Sequence, residues 1–287
     1  MKRAVRPPAV AGTFYEGAPA RLSATVGRLL AAHTSPRVPP DRFRALLLPH
    51  AGHVYSGGIA AAGVASVAWP STVLLLGPNH HGTGAAAALS PFAAWRTPLG
   101  DVPANTAVAA DLLSLCREIR EDEAAHRDEH SLEVILPFLQ KSVSDLSIVC
   151  VSIGEPDLSL CLAVGDAVAG AVRRAEERGE RVAIVVSSDL NHYLPRTQNR
   201  VKDDRALTAL KGGEPQAFFE AILGRDRISM CGVLPATALL RALEVLGAAP
   251  PRIVAQGDSG DAFGDLSRVV GYAAVLWEAA AGTEGAA

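Results

Sequence analysis

The sequence predicts an α/β fold, a three-layer sandwich in which helices cover both faces of a mostly parallel central sheet. Short apolar segments alternate with longer segments in which apolar residues recur at helical spacing. Most of the short segments are continuously apolar rather than alternating, which is typical of strands buried on both faces. Hydrophobic residues make up 49% of the 287 residues, so the chain contains enough apolar side chains for such a core.

Six of the short apolar segments are predicted to be strands. In chain order they are Arg44–Leu48, Thr72–Leu76, Ser147–Ile153, Arg181–Val186, Arg252–Ala255 and Val269–Leu276. Eight segments with helical spacing precede or separate them. They are Ala20–Ala32, Gly58–Val67, Thr106–Ile119, Ser131–Gln140, Leu158–Arg178, Asp203–Leu210, Pro215–Leu223 and Ala236–Leu246. The longest of these helices has a matching residue at each end, because Asp157 is a typical N-cap and Gly179 is typical just after the last turn.

The composition excludes several classes of protein. Lys and Arg total 27 against 30 Asp and Glu, a net charge of -3, so neither a nucleic-acid surface nor a polybasic membrane anchor is expected. No apolar run approaches the length of a membrane span, and the N-terminus lacks the apolar stretch of a signal peptide. Without an internal repeat or a linker, residues 1–287 are predicted to form one domain, with a loose tail of small residues over 279–287.

The cysteines predict a reducing environment. The four residues are Cys116, Cys150, Cys161 and Cys231. No two of them form a CxxC pair, which argues against a zinc ribbon and against a disulfide framework. A cytoplasmic location is therefore expected.

Histidines follow three of the predicted strands, at the point where each strand ends. The first strand runs into His50 and His53, the second into His80 and His81, and the fourth into His192. In an open parallel sheet, ligands bind in the crevice outside the carboxyl ends of the strands. These five side chains are therefore expected to converge on one shared site.

Imidazole is the most common metal ligand in proteins, so this crevice is predicted to hold a metal. Two of the three histidine clusters can supply ligands while the third supplies a general base. Two histidines and one anionic group with open positions are the pattern of non-haem iron oxygenases. The anionic ligand is an Asp, a Glu or a Cys, and Cys231 is a candidate because it lies just ahead of a predicted helix.

Other residues are predicted to have structural roles. His33 and His126 lie in polar sequence surroundings and are expected at the surface. Trp69, Trp95 and Trp277 are expected to pack in the core, because the chain has no basic stripe that would accompany a base-stacking platform.

Eight short motifs are spread over nearly the whole chain. They are Arg6–Tyr15 (RPPAVAGTFY), Pro49–Gly52 (PHAG), Gly77–His81 (GPNHH), Arg96–Gly100 (RTPLG), Asp128–Glu133 (DEHSLE), Ser187–His192 (SSDLNH), Cys231–Gly232 (CG) and Val269–Ala273 (VVGYA). Each motif alone is weak, but together they are highly specific. The chain resembles the Memo family (mediator of ErbB2-driven cell motility), whose bacterial and archaeal members are called AmmeMemoRadiSam system protein B.

The resemblance implies a fold similar to that of the class III extradiol dioxygenases, which use non-haem Fe(II). It implies that His50, His80 and Cys231 are the metal ligands, with Cys231 where the dioxygenases have a carboxylate. It also implies that His192 is the catalytic acid–base residue, with Asp189 orienting its ring or stabilising its imidazolium.

The same resemblance implies a set of pocket residues around the metal. His53, Tyr55, His81, Glu129 and His130 are expected in this pocket. Memo proteins usually have a tyrosine where this chain has His53, and the histidine is expected to fill the tyrosine's space rather than to add a ligand.

Three functions remain open. The first is a metal-dependent, dioxygenase-like redox enzyme that acts on a small substrate, with Fe(II) favoured. The second is a non-catalytic module that binds a peptide or a protein in the same cleft. The third is a zinc hydrolase, since a thiolate favours zinc or copper more than a carboxylate does. The family name further implies a radical S-adenosylmethionine protein and an AMMECR1-like protein as partners.

Overall fold

The computed structural model describes residues 4–34 and 36–280. These residues form twelve strands and ten α-helices. The strands are β1 (Val5–Arg6), β2 (Phe43–Leu48), β3 (Thr72–Pro78), β4 (Ala87–Leu89), β5 (Ala94–Thr97), β6 (Gly100–Pro103), β7 (Ile119–Glu121), β8 (Ser147–Ile153), β9 (Val182–Ser187), β10 (His192–Leu194), β11 (Arg252–Asp258) and β12 (Val269–Glu278).

The helices occupy the segments between these strands. They are α1 (Pro19–Ala31), α2 (His53–Ala65), α3 (Thr106–Leu115), α4 (Ala124–Arg127), α5 (Leu136–Ser142), α6 (Leu158–Glu177), α7 (Arg196–Gly212), α8 (Pro215–Phe219), α9 (Val233–Leu246) and α10 (Gly260–Phe263). A 3-10 turn, Glu133–Ile135, precedes α5, and a π-helical turn, Glu220–Arg225, follows α8. Across the described part of the chain, none of the helices is long and apolar enough to cross a membrane.

Nine of the strands form one large sheet. Eight of them are hydrogen-bonded in the order β10, β12, β2, β9, β3, β8, β4 and β7, and β11 also pairs with β12. The four central strands, β2, β9, β3 and β8, run parallel, whereas β12 and β4 join this centre in antiparallel orientation. The predicted parallel arrangement therefore describes the centre of the sheet, and its outer strands are mixed. A separate sheet contains β1, β5 and β6.

Alternate residues of the central strands face opposite layers of helices. On β2, Leu47 packs in an apolar cluster with residues of α3, α6 and α9. Its neighbours Leu46 and Leu48 pack in a second cluster with residues of α1, α2 and α5. All residues of β3 and β9 are buried because helices cover both faces of the sheet. The predicted three-layer α/β fold is thus confirmed.

All six predicted strands are present in the structure. The strand Ser147–Ile153 has the predicted bounds, and Asp157 caps α6 by accepting a hydrogen bond from the Leu160 amide. Gly179 has a φ of 77°, as expected just after the last turn of that helix. The unpredicted strands β1, β4, β5, β6, β7 and β10 have two to four residues each, too few for an apolar period to be recognised.

Helix α2 begins at His53, five residues earlier than predicted. The His53 amide donates to the carbonyl of Phe14, 2.7 Å away, so a distant segment satisfies the first turn of this helix. Gly57 and Gly58 therefore lie inside the helix, and the prediction that the helix starts there is wrong.

A loose tail is predicted over residues 279–287, but its first two residues are hydrogen-bonded to the rest of the protein. Ala279 donates to the carbonyl of Arg42, and Ala280 donates to the carbonyl of Gly247. Residues 281–287 lie outside the described residues.

Two glycines of α2 are expected to respond in opposite directions to the same substitution. A Cβ at Gly63 would lie 2.5 Å from Cδ2 of Leu48 and 3.0 Å from Cβ of Ala274, whereas a Cβ at Gly58 would meet nothing within 4 Å. Gly63→Ala should lower the free energy of unfolding by about 1–3 kcal/mol through overpacking. Gly58→Ala should raise it by up to about 1 kcal/mol, because alanine is the better helix former. Denaturant unfolding measures both changes, and equal shifts would contradict the close packing of α2 on the sheet.

Candidate metal centre

The carboxyl ends of β2, β3 and β9 meet the turn that precedes α9. His50 follows the end of β2, His80 follows the end of β3, and Cys231 comes just before α9. Ligand atoms of these three residues all lie within 4.8 Å of one another. The rings of His50 and His80 meet edge to face, with their centroids 5.2 Å apart. The structure thus brings together the three residues that the family resemblance implies as metal ligands.

The hydrogen bonds of His50 determine which ring nitrogen carries the proton. Its Nδ1 lies 2.7 Å from the hydroxyl of Ser187, and that hydroxyl donates its only proton to the Ser131 carbonyl, 2.6 Å away. His50 Nδ1 must therefore be the donor to Ser187. Burial lowers the pKa of His50 well below its usual range, so the ring is neutral. The lone pair is then on Nε2, which lies 3.3 Å from Sγ of Cys231.

Glu129 holds His80 in the same tautomer. His80 Nδ1 donates to Oε1 of Glu129 at 2.8 Å, and the His80 amide donates to Oε2 at 2.6 Å. The carboxylate also accepts from the amides of His130 and Ser131, both at 2.9 Å. Burial alone raises the pKa of Glu129, but the hydrogen bonds from His80 and Ser131 outweigh burial and keep the pKa well below its usual range. The ionised Glu129 carboxylate therefore accepts from Nδ1 of His80, and Nε2 of His80 is available to bind a metal.

The sulfur of Cys231 accepts a hydrogen bond from a backbone amide. The Asp189 amide donates to Sγ at 3.1 Å, and the hydroxyl of Ser188 lies 3.9 Å away. Burial, and then the charge of Asp189, raises the pKa of the Cys231 thiol, so without a metal it donates to Nε2 of His50. A bound cation reverses this preference, since a coordinating thiol is deprotonated. Gly232 packs so closely on Ser188 that a Cβ would collide with it, which explains the glycine after the cysteine.

His192 lies close to the same sulfur. Ligand atoms of Asp189, His192 and Cys231 form a second group within 4.8 Å. The His192 Nδ1 donates to the Ser229 carbonyl at 2.7 Å, so Nε2 has the lone pair. Ser229, and not the predicted Asp189, therefore orients this ring. Asp189 instead accepts from the His50 amide at 2.8 Å, and burial raises its pKa to about 6.

A buried polar network fixes Ser229 in turn. Asn191 Oδ1 accepts from the Ser229 amide at 3.1 Å and from its hydroxyl at 3.2 Å. Asn191 is held by Asn199 and Asp203 of α7, and all three are almost fully buried. Tyr193, two positions after Asn191, has a φ of 63°, a left-handed conformation that bulky residues rarely adopt.

A cleft of about 780 Å³ opens onto two of the three ligand candidates, His50 and His80, and its volume is in the range of small-molecule sites. The rings of His50, His80, His130 and His192 line it. Its other walls are largely aromatic, and these residues are Phe14, Tyr55, Tyr193, Phe263 and Tyr272. The arrangement places imidazoles beside apolar surface that can contact a planar ligand.

The structure separates the predicted pocket residues into two groups. Tyr55 and His130 line the cleft, and the His130 ring stacks on His80 with centroids 4.6 Å apart. Glu129 lies behind His80, although the ligand atoms of His80, Glu129 and His130 also lie within 4.8 Å of one another. His81 is exposed, and its Nε2 donates to a backbone carbonyl at 3.1 Å.

Two further histidines are parts of the core. The Nε2 of His53 donates to the Val134 carbonyl at 2.9 Å, and its ring packs against Phe138, so His53 does not line the cleft. His126 is fully buried, and its Nε2 donates to the Ala88 carbonyl at 2.9 Å. The prediction that His126 lies at the surface is therefore wrong.

An ion pair that was not predicted from the sequence supports the site. Arg6 and Glu133 are both 0% exposed, and Nη1 of Arg6 lies 2.6 Å from Oε2 of Glu133. The guanidinium also donates to the carbonyls of His126 and Glu129, and it lies 4.1 Å from the ring centroid of Trp95. Arg6 and Glu133 lie in the first and fifth of the eight motifs. Two oppositely charged motif residues without an assigned role could have been predicted to form a buried ion pair.

This ion pair attaches the N-terminal segment to the loop that holds Glu129. Phe14, on the N-terminal side, lines the cleft, and its carbonyl accepts from the first amide of α2. Glu129, on the other side, is fixed by Arg6 through its carbonyl and fixes His80 through its carboxylate. One wall of the cleft and one ligand candidate therefore have a common support.

The fold and the site together define a three-layer α/β protein with a histidine–cysteine candidate metal centre at the carboxyl ends of its parallel strands. A sequence model of the family described as Memo-like protein matches residues 6–276. The chain belongs to the Memo family.

Relatives match along almost their whole length. A MEMO1 family protein of Methanopyrus kandleri is 36% identical over 282 residues, which cover 95% of this chain and 98% of the relative. A MEMO1 family protein of Aeropyrum pernix is 38% identical over 285 residues, which cover 94% and 99%. A crystal structure of an uncharacterized protein from Escherichia coli K12 matches with a TM-score of 0.55 at 17% identity, covering 82% of this chain and 99% of that chain. This last similarity concerns the fold alone.

Glu129→Gln is expected to lower the free energy of unfolding at neutral pH by about 1–3 kcal/mol, because four donors lose an ionised acceptor. The folded-state pKa of Glu129 lies below its usual value of 4.5, so its stabilisation is complete above that value and is lost as the pH falls further. The gap between wild type and variant should therefore shrink below about pH 4. Urea unfolding across this range measures it, with Glu177→Gln, an exposed carboxylate of α6, as the control. A gap that is the same at every pH would contradict this role.

Proposed function

We propose that this protein is a metal-dependent redox enzyme, with iron favoured, that acts on a small substrate bound in the cleft. The observation that supports this most strongly is the convergence of His50, His80 and Cys231, with an Nε2 lone pair on each imidazole. Membership of the Memo family agrees with this proposal, because the resemblance to non-haem dioxygenases implies the same three residues as ligands. Three donors leave coordination positions open, as in non-haem iron oxygenases.

The donor set fits a first-row divalent metal. The Nδ1 of His50 and of His80 each has an oxygen acceptor, as metal-ligating histidines almost always have. The amide that donates to the Cys231 sulfur favours the thiolate form. When bound, the metal supplies a Lewis acid and a one-electron redox centre for substrate and oxygen.

His192 is proposed as the general acid–base residue. It lines the cleft, and burial lowers its pKa below 6.5, so the ring is neutral near pH 7 and accepts a proton at Nε2. The Ser229 carbonyl accepts from Nδ1 before and after this transfer, so it keeps the ring orientation and stabilises the imidazolium. His192 then returns the proton to the product from the same atom.

Two other functions each have a supporting observation. Two histidines with one cysteine are also a catalytic zinc set, so a zinc hydrolase is a second candidate. Exposed aromatic side chains surround the mouth of the cleft, with Phe263 67% and Tyr193 62% exposed. Exposed apolar surface of this kind marks interaction sites, which supports a peptide-binding module as a third candidate.

His50→Ala, His80→Ala and Cys231→Ser are each expected to weaken metal binding by more than about 100-fold, because changes to supporting residues alone cost 10–100-fold. Elemental analysis of protein purified without oxygen measures the bound metal in each variant. His33→Ala is the matched control, since His33 follows α1 and does not line the cleft. If all three variants bind as much metal as the wild type, the proposed metal centre is contradicted.

His192→Gln is expected to keep the metal and to lose turnover, because His192 acts on protons and is not a ligand in the proposed centre. Loss of metal in this variant would instead place the ion between Asp189, His192 and Cys231. Oxygen uptake by the metal-loaded wild type separates the candidate activities. Bound iron with oxygen uptake supports the redox enzyme, and bound zinc without oxygen uptake supports the hydrolase.

A further inference from the structure

An arginine without a carboxylate partner lies in the wall of the cleft. Arg268 lines the cleft, and its guanidinium carbon is 5.4 Å from the ring centroid of Tyr193. Among the described residues, no Asp or Glu oxygen lies within 4.0 Å of its nitrogens, whereas Arg42, Arg96, Arg196 and Arg241 each have such a partner. Arg268 is also the only Lys or Arg among the residues that line the cleft.

The two carboxylates of the cleft have other partners. Asp189 accepts from the amide of His50 at 2.8 Å. Asp265 accepts from the amide of Ser267 at 2.9 Å and from its hydroxyl at 2.7 Å, so it is tied within its own loop. Neither carboxylate of the cleft is therefore paired with the Arg268 guanidinium.

The backbone places Tyr193 beside this guanidinium. Tyr193 has a φ of 63°, which is sterically unfavourable for a large side chain and is found mostly where surrounding contacts impose it. Those contacts are the His192 amide bonded to Ser229 on one side and the pairing of Leu194 with β12 on the other, with a bulge between them. Left-handed residues of this kind cluster at ligand sites, so the position of the Tyr193 ring is itself a pointer to a ligand.

The aromatic side chains of the chain are concentrated here. Aromatic residues make up only 5% of the sequence, and it has four tyrosines. Three of these, Tyr55, Tyr193 and Tyr272, line the cleft together with Phe14 and Phe263. Such rings offer offset or edge-to-face contacts to a flat ligand. The cleft thus combines ring-binding walls, one free cation, and the candidate metal centre.

We propose that Arg268 determines specificity and that the substrate class is a small planar aromatic acid, whose carboxylate or phosphate pairs with the Arg268 guanidinium. This inference rests on the proposed function, because it identifies the substrate class of the same site. The aromatic walls hold the ring of the substrate, and its anionic group points away from the candidate metal ligands. A guanidinium matches carboxylate and phosphate oxygens in two parallel hydrogen bonds, so it selects for either anion over a neutral group.

The test is calorimetric binding of three probes to the full chain: 4-hydroxybenzoate, its neutral counterpart 4-hydroxybenzamide, and phenyl phosphate. Wild type should bind at least one anion about tenfold or more tightly than the amide, as expected for a charge-assisted pair. Arg268→Gln should abolish this preference without changing the affinity for the amide, and Arg268→Lys should keep part of it. Arg181→Gln, an exposed arginine at the opposite end of β9, is the control and should behave as wild type. The relative affinity of the two anions shows whether the site takes a carboxylate or a phosphate.

Three results would overturn the proposal: equal binding of acid and amide by wild type, a preference that survives in Arg268→Gln, or no binding of any probe. The titrations are run on metal-free and on iron-loaded protein, with metal content measured separately. A preference that depends on Arg268 in protein that binds no metal would refute the metal centre and leave the role of Arg268 intact. If the protein binds metal but does not prefer the anions over the amide, the role of Arg268 is refuted and the metal centre is not.

Discussion

Arg6 and Glu133 form an ion pair with no exposure to solvent, and the rest of the site is built around it. Such a pair is tolerated only when all of its polar atoms are partnered. Arg6 meets this condition through three backbone carbonyls and the ring of Trp95, and Glu133 also accepts from the hydroxyl of Tyr15. Loss of one partner would strand a buried charge at a cost of about 3–5 kcal/mol. The wall of the cleft and the support of one ligand candidate would then lose their common anchor.

Five of the histidines fall into two groups, which differ in the ring nitrogen that donates a hydrogen bond. At His50, His80 and His192, an oxygen acceptor at Nδ1 leaves an Nε2 lone pair for the cleft. At His53 and His126, Nε2 donates to a backbone carbonyl, and the ring serves the core. The same side chain thus has two roles, and the neighbouring oxygen decides between them. Position after a strand is not sufficient, since His53 also follows β2 and lies outside the cleft.

The range of an interaction along the chain decides whether it could be predicted. The central strands, and the placement of His50 and His80 at their ends, follow from local apolar runs and the geometry of parallel sheets. The start of α2 could not be predicted, because its partner is the distant carbonyl of Phe14. The burial of Arg6 depends on a residue 127 positions away, and a charged residue is exposed by default. The placement of Cys231 depends on the family resemblance, since a lone cysteine is as often a buried apolar residue.

The distance between Arg6 and Glu133 along the chain also orders the events of biosynthesis. Arg6 is made before its partner, which follows 127 positions later. At 5–20 residues per second, a ribosome needs roughly 6–25 s to make the intervening chain. During that interval the charge of Arg6 stays in water, and the N-terminal segment has no stable place on the nascent protein. Cys231 is made later still, so the candidate centre can be completed only after both partners of the ion pair have been made.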